Sequence, residues 1–133
     1  MKTMRSSIVD GVLIAVHTAY GPTDDEWRSY LHLYESHQQL VRANLVVTRG
    51  GGPNAKQREA MSKLKNLRAF ATAVVSDSVV ARGIVTAISW IGKPIRAFTP
   101  SETDLAFEYL GVATDTRAKV RLEVAALKSE LEG

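Results

Sequence analysis

Short runs of β-branched and small apolar residues recur along the chain, each separated from the next by a stretch of helical spacing. The runs are Leu13-Ile14-Ala15-Val16, Asn44-Leu45-Val46-Val47-Thr48, Ala69-Phe70-Ala71-Thr72-Ala73-Val74-Val75 and Ile95-Arg96-Ala97-Phe98. Adjacent parallel strands need a long crossover, and a helix is the usual way to supply it. The pattern therefore predicts an α/β fold: a mostly parallel central sheet of about five strands, flanked by helices.

The N-terminal end predicts one antiparallel pair. Asp10-Gly11 lies between Ile8-Val9 and Val12-Leu13. A tight hairpin turn favours this dipeptide because its central residues take positive φ. Strands are expected near 4–9 and 12–18, and Leu13 to Val16 is apolar on both faces, as in a strand buried inside a sheet.

The helices announce their starts. Thr23-Asp24-Asp25-Glu26 spells a capping box, with Trp27, Tyr30, Leu31 and Tyr34 on one stripe and an end near Gln39. A helix over 55–66 is capped by Asn54 with Gln57 answering, or opens on Pro53 at its first position, and turns Met61 and Leu64 inward. Ser76, Asp77 or Ser78 caps the next, which carries Val79, Val80, Ile84, Ala87, Ile88 and Ile91 before Gly92-Lys93-Pro94 ends it. Thr99-Pro100-Ser101-Glu102 begins a helix with Leu105, Ala106, Tyr109 and Leu110, stopped by Gly111. Thr114 caps a last amphipathic helix, on which Val120, Val124, Leu127 and Leu131 form a seam suited to another helix. These signals divide the chain into a domain over 1–112 and an extra helix over 113–133, for packing or for a homodimer through 115–131.

Composition narrows the chemistry. The 133 residues include no cysteine, which excludes disulfides, thiol catalysis and cysteine-ligated metals. His32 and His37 point about 140° apart on a helix and do not share a metal. The net charge of +3 is scattered instead of gathered on one element, so no nucleic-acid partner is expected. The chain has no apolar run of membrane-spanning length and no secretion leader, so a cytoplasmic location without a membrane span is expected.

Arg68 to Asp77, then Arg82-Gly83-Ile84-Val85-Thr86-Ala87, then Ile95-Arg96-Ala97-Phe98, and finally Glu102 with Ala106-Phe107-Glu108-Tyr109-Leu110-Gly111 resemble the SpoIIAA-like branch of the STAS domain family, often grouped as STAS/SEC14-like. The likeness runs from about Gly11 to Gly111. It implies a STAS fold, a signalling role through protein–protein interaction, and a functional loop between the third strand and the next helix. In antagonist members that loop carries a phosphorylated serine. Here it reads Thr48-Arg49-Gly50-Gly51-Gly52-Pro53-Asn54, without serine, so the phosphoswitch does not carry over.

The glycine loop is the strongest candidate site in its own right. Glycines allow backbone shapes closed to other residues, and a helix start offers amides to an anion. Thr48, Arg49, Gly50, Gly51, Gly52 and Asn54 form this candidate. Ser76, Asp77 and Ser78, after the next strand, form the second, either as a cap or as a phosphate acceptor. If their strands are neighbours, both loops open on the carboxyl edge, where open α/β sheets bind ligands. Gly50 to Ala55 also fits Gly-x-Gly-x-x-Ala, which admits a dinucleotide enzyme, although Pro53 intrudes on the turn. The expected function is a non-catalytic regulatory module, without a cofactor, that binds a protein partner or ligand at these loops. The alternative is a carrier or sensor of a small hydrophobic or anionic molecule, with a lipid-like pocket between the Trp27 helix and the sheet.

Overall fold

The computed structural model describes residues 2–64, 70–89 and 94–132. In chain order the elements are β1 (Met4–Val9), β2 (Val12–His17), α1 (Asp24–His37), β3 (Ala43–Thr48), α2 (Ala55–Ser62), β4 (Ala71–Ser76), α3 (Val79–Ser89), β5 (Ile95–Phe98), α4 (Thr103–Leu110) and α5 (Thr114–Glu132), with a 3-10 turn over Pro100–Glu102 leading into α4. The strands form one five-stranded sheet in the order β1-β2-β3-β4-β5. β1 runs antiparallel to β2, and every other neighbouring pair is parallel.

The hairpin turn uses left-handed backbone at both Asp10 (φ 48°) and Gly11 (φ 83°). Gly11 also lies under the next connection, where a Cβ would stand 2.8 Å from the carbonyl oxygen of Leu40. This turn fixes the register that pairs Val9 with Val12 and Met4 with His17.

β2 is buried along its whole length, so its alternation divides two cores. Leu13 and Ala15 face α1 and join Trp27, Tyr30, Leu31 and Tyr34. Val12, Ile14 and Val16 face the opposite way and join Ala106 and Phe107 of α4 and Val120 and Leu127 of α5. α5 packs on β1 and β2, while α4 packs on β4 and β5. The middle strand, β3, therefore lies beneath the seam between these two helices.

The α1 capping box is formed: Thr23 accepts from the Glu26 amide, and Glu26 accepts from the Thr23 amide. The same carboxylate accepts from the amides of Thr3 and Met4 at 2.8 and 3.0 Å and from the Thr3 hydroxyl, pinning the start of β1. Asn54 and Gln57 form the second box, so Asn54 caps α2 and Pro53 precedes it.

Several expectations change. α1 ends at His37, before Gln39. α5 begins at Thr114, and the amides of Thr116 and Arg117 bond the carbonyl of Ala113, so the helix starts one residue earlier than a Thr114 cap implies. The seam of α5 is spent within the chain: Val120 and Leu127 are buried in the core, and Val124 and Leu131 pack against it. Among the described residues, α5 thus packs on the same core as the preceding elements, which is the packing alternative for this helix. Among the described residues, the space beneath Trp27 that the alternative reading gave to a pocket is packed, with Trp27, Tyr30 and Tyr34 buried in one cluster with Leu13 and Ala15. α3 turns Val85 inward but leaves Val79, Val80 and Ile84 exposed, at 73%, 73% and 55%. Ala69 of the fourth strand, Asn66 of the second helix, Arg68 of the resemblance, and Ile91 and Gly92-Lys93 lie outside the described residues, as do the side chains of Ala87 and Ile88.

Candidate functional site

Strands β3 and β4 are hydrogen-bonded neighbours with Thr48 opposite Ser76. The loops that follow them, Arg49–Asn54 and Asp77–Ser78, leave the sheet side by side at its carboxyl edge. Their proximity is close: a Cβ on Gly50 would lie 3.8 Å from the hydroxyl of Ser78. The two candidate loops predicted from sequence are therefore one continuous surface.

The glycine loop is held by its own bonds. The Thr48 hydroxyl donates to the carbonyl of Gly51 at 2.6 Å and accepts from the amide of Gly50 at 3.0 Å. The Gly51 amide donates to the carbonyl of Thr18 at 2.9 Å. Gly50 takes φ 132°, a conformation that side chains disfavour. The amides of Gly50 and Gly51, which the sequence offers to an anion, are thus occupied within the fold. Gly51 is buried, whereas a Cβ on Gly52 would meet nothing within 4 Å.

The second loop closes on itself similarly. Ser78 caps α3, its hydroxyl accepting from the Ala81 amide at 3.2 Å. Ser76 is buried, accepts from the Ser78 amide at 3.1 Å, and offers its carbonyl to Arg82 at 2.7 Å. Burial removes Ser76 from the reach of a modifying enzyme, while Asp77 is exposed.

Beneath these loops, on the α4 and α5 side, lies a cleft of about 570 Å³. It lies over the end of β3, between α5, which covers β1 and β2, and α4, which covers β4 and β5, and it is lined by Thr103 and Phe107 of α4 and by Arg121 to Glu132 of α5. Alternation along β3 and β4 places Val47 and Val75 on this face, opposite to Thr48 and Ser76. Arg49 and Asp77, the next residues, line the cleft together with Arg121 and Lys128 of α5. Arg121 donates to Asp104 at 2.6 Å and stands 5.3 Å over the Phe107 ring.

Sequence reasoning missed this cleft because no local signal says which strands each helix covers. It named Gln57 only as the partner of the Asn54 cap and missed that this residue is buried and joins the two helix starts. Its side chain donates to the carbonyl of Pro22 at 3.0 Å and to Asp24 at 3.1 Å, and its carbonyl accepts from Trp27 at 2.8 Å.

His17, at the end of β2, is 3% exposed. Burial lowers its pKa from 6.5 to about 4, against the pull of the nearby Glu26 carboxylate, so the ring is neutral at pH 7. Its Nδ1 has no partner among the described residues. Burial works against the ionised Glu26, but the hydrogen bonds from Thr3, Thr23 and Met4 outweigh it and bring its pKa down to about 2.

Among the described residues, no group of histidines and carboxylates is placed to hold a metal ion. None of their helices is long and apolar enough to cross a membrane. No protein-family model, no curated protein and no solved structure matches this chain.

Proposed function

We propose that the chain is a non-catalytic regulatory binding module of the STAS, SpoIIAA-like type, working in the cytoplasm. Its working surface is the carboxyl edge presented by Arg49, Gly50, Gly52, Asn54, Asp77 and Ser78, with the buried Thr48, Gly51 and Ser76 holding the two loops from below. One observation carries this reading: the two loops adjoin each other above a cleft at the end of parallel strands, the position where open α/β sheets take their ligands. The internal hydrogen bonds of both loops add to it, because a surface held in one shape loses little conformational freedom on binding. Exposed Val79 and Val80 continue the edge onto α3 and suit a protein partner.

The cleft favours a second reading, in which the module senses a small molecule and passes its state to a partner.

Affinity capture from native cells tests the first reading, using wild type, Gly52→Asp and a Leu122→Asp control. Gly52 has space for a side chain, and Leu122 is exposed on α5. A partner kept by wild type and control but lost with Gly52→Asp supports the proposal. A partner lost equally with both substitutions, or a steady-state turnover abolished by Asp77→Ala, contradicts it.

A further inference from the structure

We propose that the free edge of β1 is a dimer interface: a second copy of this chain adds its own β1 antiparallel and joins the two five-stranded sheets into one. The surface lies on the side of the sheet, separated from the β3 loop by β2, and is independent of the carboxyl edge.

The backbone of β1 shows what is open. β1 is the first strand of the sheet, so no strand pairs with its outer side. Val9 and Val12 flank the two-residue turn as a hydrogen-bonded pair, and such pairs recur at every second residue. The amide of Thr18 donates to the carbonyl of Thr3 at 3.0 Å, so the same phase holds at the far end of the strand. Arg5, Ser7 and Val9 thus turn their amides and carbonyls toward β2, while Met4, Ser6 and Ile8 turn theirs outward. Glu26 takes the Met4 amide at 3.0 Å and seals the edge there. The amides and carbonyls of Ser6 and Ile8 remain open, and an open strand edge is a template for another strand.

The open stretch is its own complement. A two-fold axis through Ser7 sets Ser6 against Ile8 of the second copy, and Ile8 against its Ser6. All four open groups of each copy are then bonded, in an isologous contact. Ser7 supplies an independent observation: its Oγ is buried and has no hydrogen-bond partner among the described residues. On the axis it faces its own counterpart in a non-hydrogen-bonded pair, the closest approach of side chains across antiparallel strands. There one hydroxyl donates to the other, which relieves the cost of an unpaired buried group. Ile8 points to the α1 face, where a groove lined by Ser6, Leu33 and Leu40 runs beside the edge, with Leu40 63% exposed. Ile8 of the second copy, opposite Ser6, enters this groove, and symmetry returns the contact. Arg5 falls opposite Val9 of the second copy, so the two Arg5 side chains do not meet. The stretch is short, which places the dimer in the weak, concentration-dependent class.

Sedimentation equilibrium of the full chain from about 10 μM to about 1 mM tests this. Wild type is expected to pass from monomer to dimer over that range. Ser6→Pro removes an outward amide and no bond to β2, so it should weaken association about tenfold or more in a protein that melts normally. Trapping is the second measurement. The chain has no cysteine, so Ser7→Cys carries its sole thiol. Across the axis the two Cα atoms stand about 4.5 Å apart, within disulfide reach. Mild oxidation should link Ser7→Cys into a covalent dimer at least tenfold faster than Ser101→Cys, at an exposed position on the turn before α4. A wild type that stays monomeric at about 1 mM would overturn the proposal. A dimer that survives Ser6→Pro would overturn the location, and equal linking of the two cysteine variants would overturn the axis through Ser7. If Ser6→Pro does not fold, the cross-linking contrast decides alone.

Discussion

A Cβ placed on Gly51 would lie 2.0 Å from the backbone carbonyl oxygen of Tyr20 and 2.6 Å from that of Thr18. Backbone cannot swing aside as a side chain does, so the β2 to α1 connection and the glycine loop are locked against each other. Gly51→Ala should cost about 2 kcal/mol or more, as overpacking does. Gly52→Ala, with nothing within 4 Å, should stay within about 0.5 kcal/mol of wild type. Urea denaturation of the two variants checks the contrast.

His17 links stability to mild acid. Its pKa is about 4 when folded and 6.5 ordinarily, so between these values the unfolded chain binds more protons. Stability is complete above about pH 6.5 and falls as the pH drops toward 4, by up to about 3 kcal/mol. His17→Leu should flatten this part of a stability-versus-pH curve measured by chemical denaturation.

Glu26 acts at lower pH. Its folded pKa is about 2 against 4.5, so its contribution is present above pH 4.5 and is lost as the pH falls toward 2. Protonation weakens the bonds to Thr3 and Met4 before the core opens. The protection factors of those two amides, corrected for the intrinsic exchange rate at each pH, should fall below pH 4.5, and Glu26→Gln should show the lower protection already at pH 7.

Leu127 tests the place of α5. It is 5% exposed in the core, whereas Leu122 on the same helix is 74% exposed. Leu127→Ala should cost about 2–5 kcal/mol and Leu122→Ala almost nothing, measured by thermal or urea unfolding. Analytical ultracentrifugation should give Leu127→Ala the same association state as wild type, because the seam contacts the chain's own sheet.

The fold was legible where the signal is local. Asp10-Gly11, the Thr23 and Glu26 box, the Asn54 and Gln57 box and the β-branched runs each encode their own element, and the alternation of strand with helix encodes the parallel sheet. Partner choice between distant elements was not legible. Val120, Val124, Leu127 and Leu131 show a seam, but a seam on a sheet and a seam on a second helix have the same spacing. Trp27 and Tyr30 read first as core, but their spacing also admits a pocket wall until the sheet is seen against them. The candidate loops were found because strand ends and glycines mark them. The fate of the Gly51 amide was not, because it bonds Thr18, in a different connection of the chain.

The direct test of the carboxyl edge as the working surface is photo-crosslinking in native cells. A photoreactive side chain is placed at Gly52, at Val79 or at Asp10, which lies in the hairpin turn at the other end of β2. The account predicts an adduct of the same mass from Gly52 and Val79, and not from Asp10. An adduct formed only from Asp10 would contradict it.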